Sequence, residues 1–413
     1  MNTDSPLNRL FGKIKTFDTL RYYRGFRFLW TSNLLYQITW WMLLLVMGWL
    51  SYEITANVFL VALFTAARLS ASLLGPFVGT IADRVNRKEL IIVSQALQVV
   101  LIIILASLTS AGILQFWQLT LIGFLDGLVF TTVSTAGYAL AMDIVGKKDI
   151  TNAVALNAVA LDITRVIGPA VGGVLVATLG PANCFWAAAV VCTLAIVTLL
   201  GLETPARKTG ASEGSVLQNI AESFKYVIHN RDMVSVLAVS LAANIFMWPA
   251  YQSFMPIFAK DNLAQGASGL GFLLTTFGAG ALIGALILAS MGNFKRKGLV
   301  YLWGTALIAV FFGTFATSRS FPLALTLVGL AGLASSAFST MQATFMLILA
   351  PEDMRGRSSG FLRLAIGVYS FGALGIGAVA SAIGASLATA ISCSILLIIV
   401  IAIAVLMPNL RRL

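Results

Sequence analysis

The chain has 413 residues, of which 59% are hydrophobic and only 10% charged, and its mean hydropathy is +0.92. That balance is too apolar for a soluble protein of this length and makes the bilayer the surrounding medium. The net charge of +11 raises nucleic acid as a partner, but no basic stripe interleaved with aromatics lies on a soluble face, so nucleic-acid binding is set aside.

A span needs about 20 apolar residues, and the runs predict twelve helices: 27–50, 57–80, 90–110, 116–142, 152–178, 182–201, 233–258, 269–291, 299–317, 321–349, 360–382 and 386–407. Cations sit at every second loop, among them Arg84/Arg87/Lys88, Arg207/Lys208, Lys295/Arg296/Lys297 and Arg355/Arg357. The intervening loops hold only Lys260 and Arg319. The positive-inside rule therefore places both termini in the cytoplasm, as expected of a multi-pass protein of a bacterial inner membrane. The charged leader runs straight into a full-length helix with no small-residue cleavage site, so that helix is expected to persist. Cys184, Cys192 and Cys393 all fall within spans and give no disulfide or metal framework; His229, the only histidine, reads as a solvated residue of the mid-chain loop.

That loop, 203–231, is the one polar interruption, with Leu217, Ile220, Phe224 and Ile228 at helical spacing for a surface-lying amphipathic helix. It divides the chain into 1–202 and 232–413, each with six spans. The halves echo one another. Gly168–Gly173 (GPAVGG) aligns with Gly372–Gly377 (GALGIG) at an offset of 204, and Asn33 with Asn244 at 211. The reading is an all-α membrane protein of two pseudo-symmetric six-helix bundles, with a binding site expected at their interface near the midplane.

After the second span comes Gly79-Thr-Ile-Ala-Asp83-Arg84-Val-Asn-Arg87-Lys88. Gly79 would permit close helix approach, Asp83 could accept from the start of a neighbouring helix, and the cations anchor the loop inside. A purely topogenic cluster would account for the cations but not for Gly79 and Asp83. The segment resembles the loop motif G-x-L-A-D-R-x-x-R-[KR] of the major facilitator superfamily, with Ile81 in place of Leu. The resemblance implies the twelve-helix facilitator fold and a conformational latch between the second and eleventh helices. In the fifth span, Gly168-Pro169-Ala-Val-Gly172-Gly173 is similar to the family's G-x-x-x-G-P-x-x-G-G element of exporters and antiporters, with Thr164 where the first Gly belongs. It looks most like the branch of siderophore and macrolide exporters. Small residues allow helices to touch, and Pro169 loosens one backbone hydrogen bond; ordinary packing is the alternative reading.

Arg68, Asp126, Asp162 and Arg165 lie deep inside the apolar runs. Each costs about 2.5–3.5 kcal/mol at bilayer depth, so such residues line pathways or pair. The family's fourth-helix arginine is missing; Gly123 takes its place and Asp126 stands nearby. Asp126 could exchange protons, or it could neutralise Arg165 or Arg68. Asp162 and Arg165, three apart on one helix, could satisfy each other, which ranks Asp162 below Asp126 as a proton carrier. Arg68 reads as a structural or cavity cation.

Helical spacing puts Asn33, Tyr36, Gln37 and Trp40 on one face of the first helix and Asn244, Trp248, Tyr251 and Gln252 on one face of the seventh, with Pro249 able to bend it. Aromatic and amide groups suit a bulky amphipathic ligand, although Trp and Tyr also populate membrane interfaces. No catalytic or metal constellation appears, no nucleotide loop, and no cofactor is called for. The expectation is a monomeric, proton-coupled efflux transporter of small drug- or siderophore-like molecules. A uniporter or importer of a metabolite is the alternative; a non-transporting scaffold ranks lower.

Overall fold

The computed structural model describes residues 18–82, 84–203, 230–291, 295–349 and 367–412. Asp83, His229, the amphipathic segment of the mid-chain loop, Arg355, Arg357 and Arg363 lie outside the described residues. Ten helices are long and apolar enough to cross a membrane, and two shorter apolar ones, Val58–Leu74 and Tyr369–Ile383, bring the described set to the twelve expected. In chain order they are α1 (Arg24–Thr55), α2 (Val58–Ser70), α3 (Arg87–Ser110), α4 (Phe116–Gly146), α5 (Asn152–Leu179), α6 (Pro181–Leu200), α7 (Arg231–Asn262), α8 (Ala267–Ser290), α9 (Lys297–Thr317), α10 (Phe321–Ile348), α11 (Tyr369–Ile383) and α12 (Ala385–Leu406). A last helical turn, Pro408–Arg412, follows.

The turns are set by local chemistry. Ala56 in the left-handed region ends α1, and the Asn57 side chain accepts from the backbone N–H groups of Phe59 and Leu60 at 2.9 and 3.2 Å to start α2. Asn86 and Asn230 cap α3 and α7 in the same way. Gly180 (φ 84°) and Gly384 (φ 86°) make the sharp α5–α6 and α11–α12 corners, again 204 positions apart, so the repeat extends to a backbone conformation that only glycine adopts freely. Beyond Ser70, α2 tightens into a 3₁₀ turn, Ala71–Leu74, before resuming at Gly75–Ala82. Ser70 and Ser72 bond back to the carbonyls of Ala67 and Leu69 there, and Pro76 has no N–H to return to residue 72. The α7 helix breaks at Met247, as Pro249 predicts, and Tyr369 donates to the Trp248 carbonyl at 3.2 Å.

Close helix contacts repeat between the halves. Gly168 on α5 meets α1 at Ile38 and Trp41, and Gly173 meets Gly271 on α8. The counterpart Gly372 on α11 meets α7 at Ile245, and Gly377 meets Ala62 on α2. Each half thus touches the other through one glycine seam, α5 on α8 and α11 on α2. The helix ends that carry Arg84, Arg87, Lys88, Arg231, Lys295, Arg296, Lys297 and Arg411 share one side, called here the basic face. Exposed Val93, Val100, Val190, Val197 and Ile398 line the outer flanks, where acyl chains would surround them.

Candidate functional site

The deepest charges pair. Arg68 donates through Nε to Asp126 Oδ2 at 2.6 Å, and both side chains are at most 2% exposed. Gln98 Nε2 donates to the other carboxylate oxygen at 2.7 Å, and Arg68 Nη2 reaches the Trp40 carbonyl at 3.4 Å. The guanidinium lies 3.7 Å from the Trp40 ring centre, and Trp40 stacks on Phe130 at 4.0 Å. Two charges out of water hold only with such geometry. Gly127 brings the α2 and α4 backbones together, since an added Cβ would stand 1.8 Å from the Arg68 carbonyl oxygen.

The second half builds the same crossing without charge. There Gly332 meets the Phe277 carbonyl, where a Cβ would be 2.1 Å away, and the residue before it is the fully buried Ala331. Phe277 lies 4.2 Å from Tyr251, ring centre to ring centre, with Trp248 at 6.0 Å. Trp40, Arg68 and Asp126 therefore correspond to Tyr251, Phe277 and Ala331. The ionic arrangement belongs to one half only.

A cavity of about 130 Å³ opens in the first half, walled by Asn33 and Gln37 on α1, Gln95 on α3, Tyr138 on α4, and Asn157 and Leu161 on α5. All six lie on the basic-face halves of their helices. Asn33 donates to Asn157 at 3.3 Å, and Gln95 to Ser32 at 3.4 Å. The residues of the expected ligand wall fall in different places. Asn33 and Gln37 line this cavity, whereas Tyr36, Trp40 and Arg68 are buried and do not line it. Asn244 is spent on the Ser240 carbonyl at 2.9 Å, Tyr251 is 2% exposed in the aromatic cluster, and Trp248 and Gln252 are half-buried. A shared helical face fixes direction but not the depth at which neighbouring helices close over it. Gln95 and Gln98 escaped the sequence reading, though two amides three apart inside an apolar run carry the same signal as a buried charge.

Asp162 and Arg165 do not form the ion pair their spacing allows. Arg165 instead lays its stem on Gly278 of α8, where a Cβ would stand 3.2 Å from Arg165 Cγ, and its guanidinium is 5.1 Å from the Trp41 ring. Asp162 is left half-buried, one residue beyond the cavity-lining Leu161.

On the face opposite the basic one, the halves are fastened across α1 and α7. A π-helical turn, Phe258–Asn262, presents Lys260 and Asp261; such bulges recur at functional sites. The Tyr52 hydroxyl donates to Asp261, and Lys260 Nζ stands 5.8 Å from the Trp49 ring and 5.6 Å from that of Tyr52. A hydrogen bond to a charged acceptor is worth about 1.5–3 kcal/mol, so Tyr52→Phe is expected to raise by about tenfold the population open on that face. Labelling of a cysteine placed at Leu50 by an impermeant maleimide reads it; an unchanged rate would mean the bond closes nothing.

The described part of the loop motif acts within its own half. Arg87 Nη1 donates to Asp143 Oδ2 at 2.6 Å and to the Ala139 carbonyl at 3.3 Å, and Lys88 Nζ reaches the Leu202 carbonyl at 2.5 Å, beyond the end of α6. Arg84 is exposed. Gly79 does not serve a close approach: an added Cβ there would meet nothing within 4 Å, although Val78 and Ala82 of the same helical stretch are buried. In the fifth-span element, Gly168 and Gly172 lie against α1, at Trp41 and Met42, while Gly173 meets Gly271 of α8; Pro169 adds its carbonyl, 2.9 Å from a Cβ built on Gly271.

Comparison with known proteins fits this architecture. A profile of the transmembrane secretion effector family matches residues 15–412. The chain is 27% identical over 343 residues to the enterobactin exporter EntS of Shigella boydii serotype 18, covering 81% of this chain and 80% of that one. It is also 27% identical to the exporter of Escherichia coli O157:H7, over the same shares of the two chains. Among solved structures, a POT family transporter with a thioalcohol-conjugated peptide superposes with a TM-score of 0.77 at 12% identity, over 94% of this chain and 96% of that one. A bacterial homologue of the human lysosomal transporter Spinster gives 0.72 at 15%, over 94% and 97%. At such identity these two speak for the fold alone. Twelve apolar helices in two glycine-seamed halves, with a family match across nearly the whole chain, make this protein a membrane transporter and not an enzyme: it belongs to the transmembrane secretion effector family of the major facilitator superfamily.

Proposed function

We propose that the protein is a proton-coupled exporter of small amphipathic molecules, working by alternating access, with its basic face and both termini in the cytoplasm of a bacterial inner membrane. The observation that carries this reading is the pairing of a cavity in the basic-face half with glycine and tyrosine seams that fasten the opposite face. A loading site open to the cytoplasm is what an exporter presents before it rocks. The aromatic cluster of Trp248, Tyr251, Phe277 and Phe338 in the second half would supply the apolar wall for a ligand once the halves part. The relatives named above are enterobactin exporters, so enterobactin is the first compound to try.

The coupling carboxylate in this reading is Asp162. Asp126 is held by two donors, and protonating it would strand the Arg68 charge. Asp162 has no ion pair among the described residues, is half-buried and directly follows the cavity-lining Leu161, with Arg165 one turn away. In acidified inside-out vesicles, enterobactin or a lipophilic drug should dissipate the proton gradient with the wild-type protein. Asp162→Asn should retain substrate binding and lose the dissipation. Full proton-coupled transport by Asp162→Asn would remove Asp162 as carrier. Substrate movement with no proton flux in the wild type would overturn coupling itself.

A further inference from the structure

The last helical turn, Pro408–Arg412, folds under the second half, and Gly298 at the start of α9 makes room for it: an added Cβ would lie 1.5 Å from the Leu410 carbonyl oxygen. Leu410 itself is fully buried. The turn is therefore a built part of the basic face, wedged beside the ends of α7, α9 and α12.

Two clefts flank it and share Pro408 as a wall. One, of about 420 Å³, contains Arg231 and Asn409; the other, of about 540 Å³, contains Arg296 and Arg411. Volumes of this size suit a small ligand or headgroup. All three arginines are exposed, and among the described residues none of them has a carboxylate within ion-pair distance. The adjacent acid, Asp232, keeps its Oδ1 out of solvent. The helices α7 and α9 both begin here, so their N-terminal dipole ends add to the positive field. Arg296 sits just before α9 with φ 66° and ψ 46°, a left-handed conformation unusual for a residue with a side chain.

An apolar strip leads away from the clefts. Ile398, Ile401 and Val405 are 66%, 54% and 65% exposed at helical spacing along α12, and Leu406 is 77% exposed at the cleft itself. Cations at the end of a lipid-facing apolar strip match the two parts of one molecule.

We infer that this is a binding site for an anionic phospholipid. Its headgroup lies across Pro408, with Arg231 of one cleft on one side and Arg296 and Arg411 of the other cleft on the far side, and its acyl chains lie along α12. A free phosphate would satisfy the arginines but gain nothing from the strip, which is why the lipid is the source chosen. Each arginine near an anionic surface is worth about a fivefold preference.

The test uses the full-length protein in detergent, titrated with phosphatidylglycerol or phosphatidylcholine of identical chains and read by mass spectrometry under non-denaturing conditions. Wild type should retain phosphatidylglycerol preferentially. The variant R411Q should lose about fivefold of that preference, and R231Q/R296Q/R411Q on the order of a hundredfold. The variant R319Q, on the opposite face, should keep it. Preference unchanged in the triple variant would overturn the site. Displacement of the lipid by inorganic phosphate at matched concentration would show a free-anion site and overturn the lipid assignment.

Discussion

Replacing Asp126 by Asn should unfold the first half more readily than any surface change, because it leaves Arg68 charged, 1% exposed and without its counter-ion. Removing one partner of a buried pair costs about 3–5 kcal/mol. Arg68 Nη1 already lacks a partner, so little reserve remains to absorb the loss. Arg68→Met should be equally harmful in reverse, stranding the carboxylate between Gln98 and the apolar core. The informative variant changes both residues. Arg68→Phe with Asp126→Ala copies what the protein itself places at the equivalent crossing, Phe277 and Ala331. Replacing a whole buried pair by apolar groups of matching shape is often neutral or stabilising, so the double variant should recover most of the thermal stability that each single variant loses. Thermal unfolding in detergent measures it. Recovery together with retained transport would make the pair a structural element. Recovery of stability with complete loss of proton-coupled transport would instead return Asp126 to the role of proton carrier and displace Asp162.

The helices were legible because a bilayer leaves the chain few options: each run of about 20 apolar residues must satisfy its backbone internally. The bounds came close even for α7, where Pro249 announced the break at Met247. The repeat was also legible, since Gly180 and Gly384 keep the offset that the Gly168–Gly173 and Gly372–Gly377 runs suggest. Pairing of charges was less so. Spacing along one helix offers Asp162 to Arg165, but sequence cannot tell that Gly278 leaves a groove on α8 into which the Arg165 stem settles. The Arg68–Asp126 partnership spans 58 positions and depends on Gly127 drawing two backbones together, a contact that no local pattern encodes. The cavity wall was half legible for a similar reason: Asn33 and Gln37 share a face with Tyr36 and Trp40, and depth alone separates them.

Gly173→Val should stop transport while leaving the folded protein intact. The Cβ would stand 2.8 Å from the Gly271 Cα and 3.2 Å from the Ala267 carbonyl oxygen, both backbone atoms that cannot turn aside. The helices α5 and α8 must then separate, at an overpacking cost of about 1–3 kcal/mol. That seam lies between the halves, so in an alternating-access cycle the cost falls on the state closed at the opposite face and spares the other. A penalty of this size shifts the balance of states by about 5- to 150-fold. Gly168→Val makes the contrast. Its Cβ would stand 2.4 Å from the Trp41 Cβ and 3.1 Å from the Ile38 carbonyl oxygen, inside one half, where every state pays the same cost and stability should fall instead. Thermal unfolding and substrate efflux, measured on both variants, separate the two effects. Wild-type efflux by Gly173→Val would mean that α5 and α8 never need to close, and the rocking of two halves about this seam would have to be abandoned.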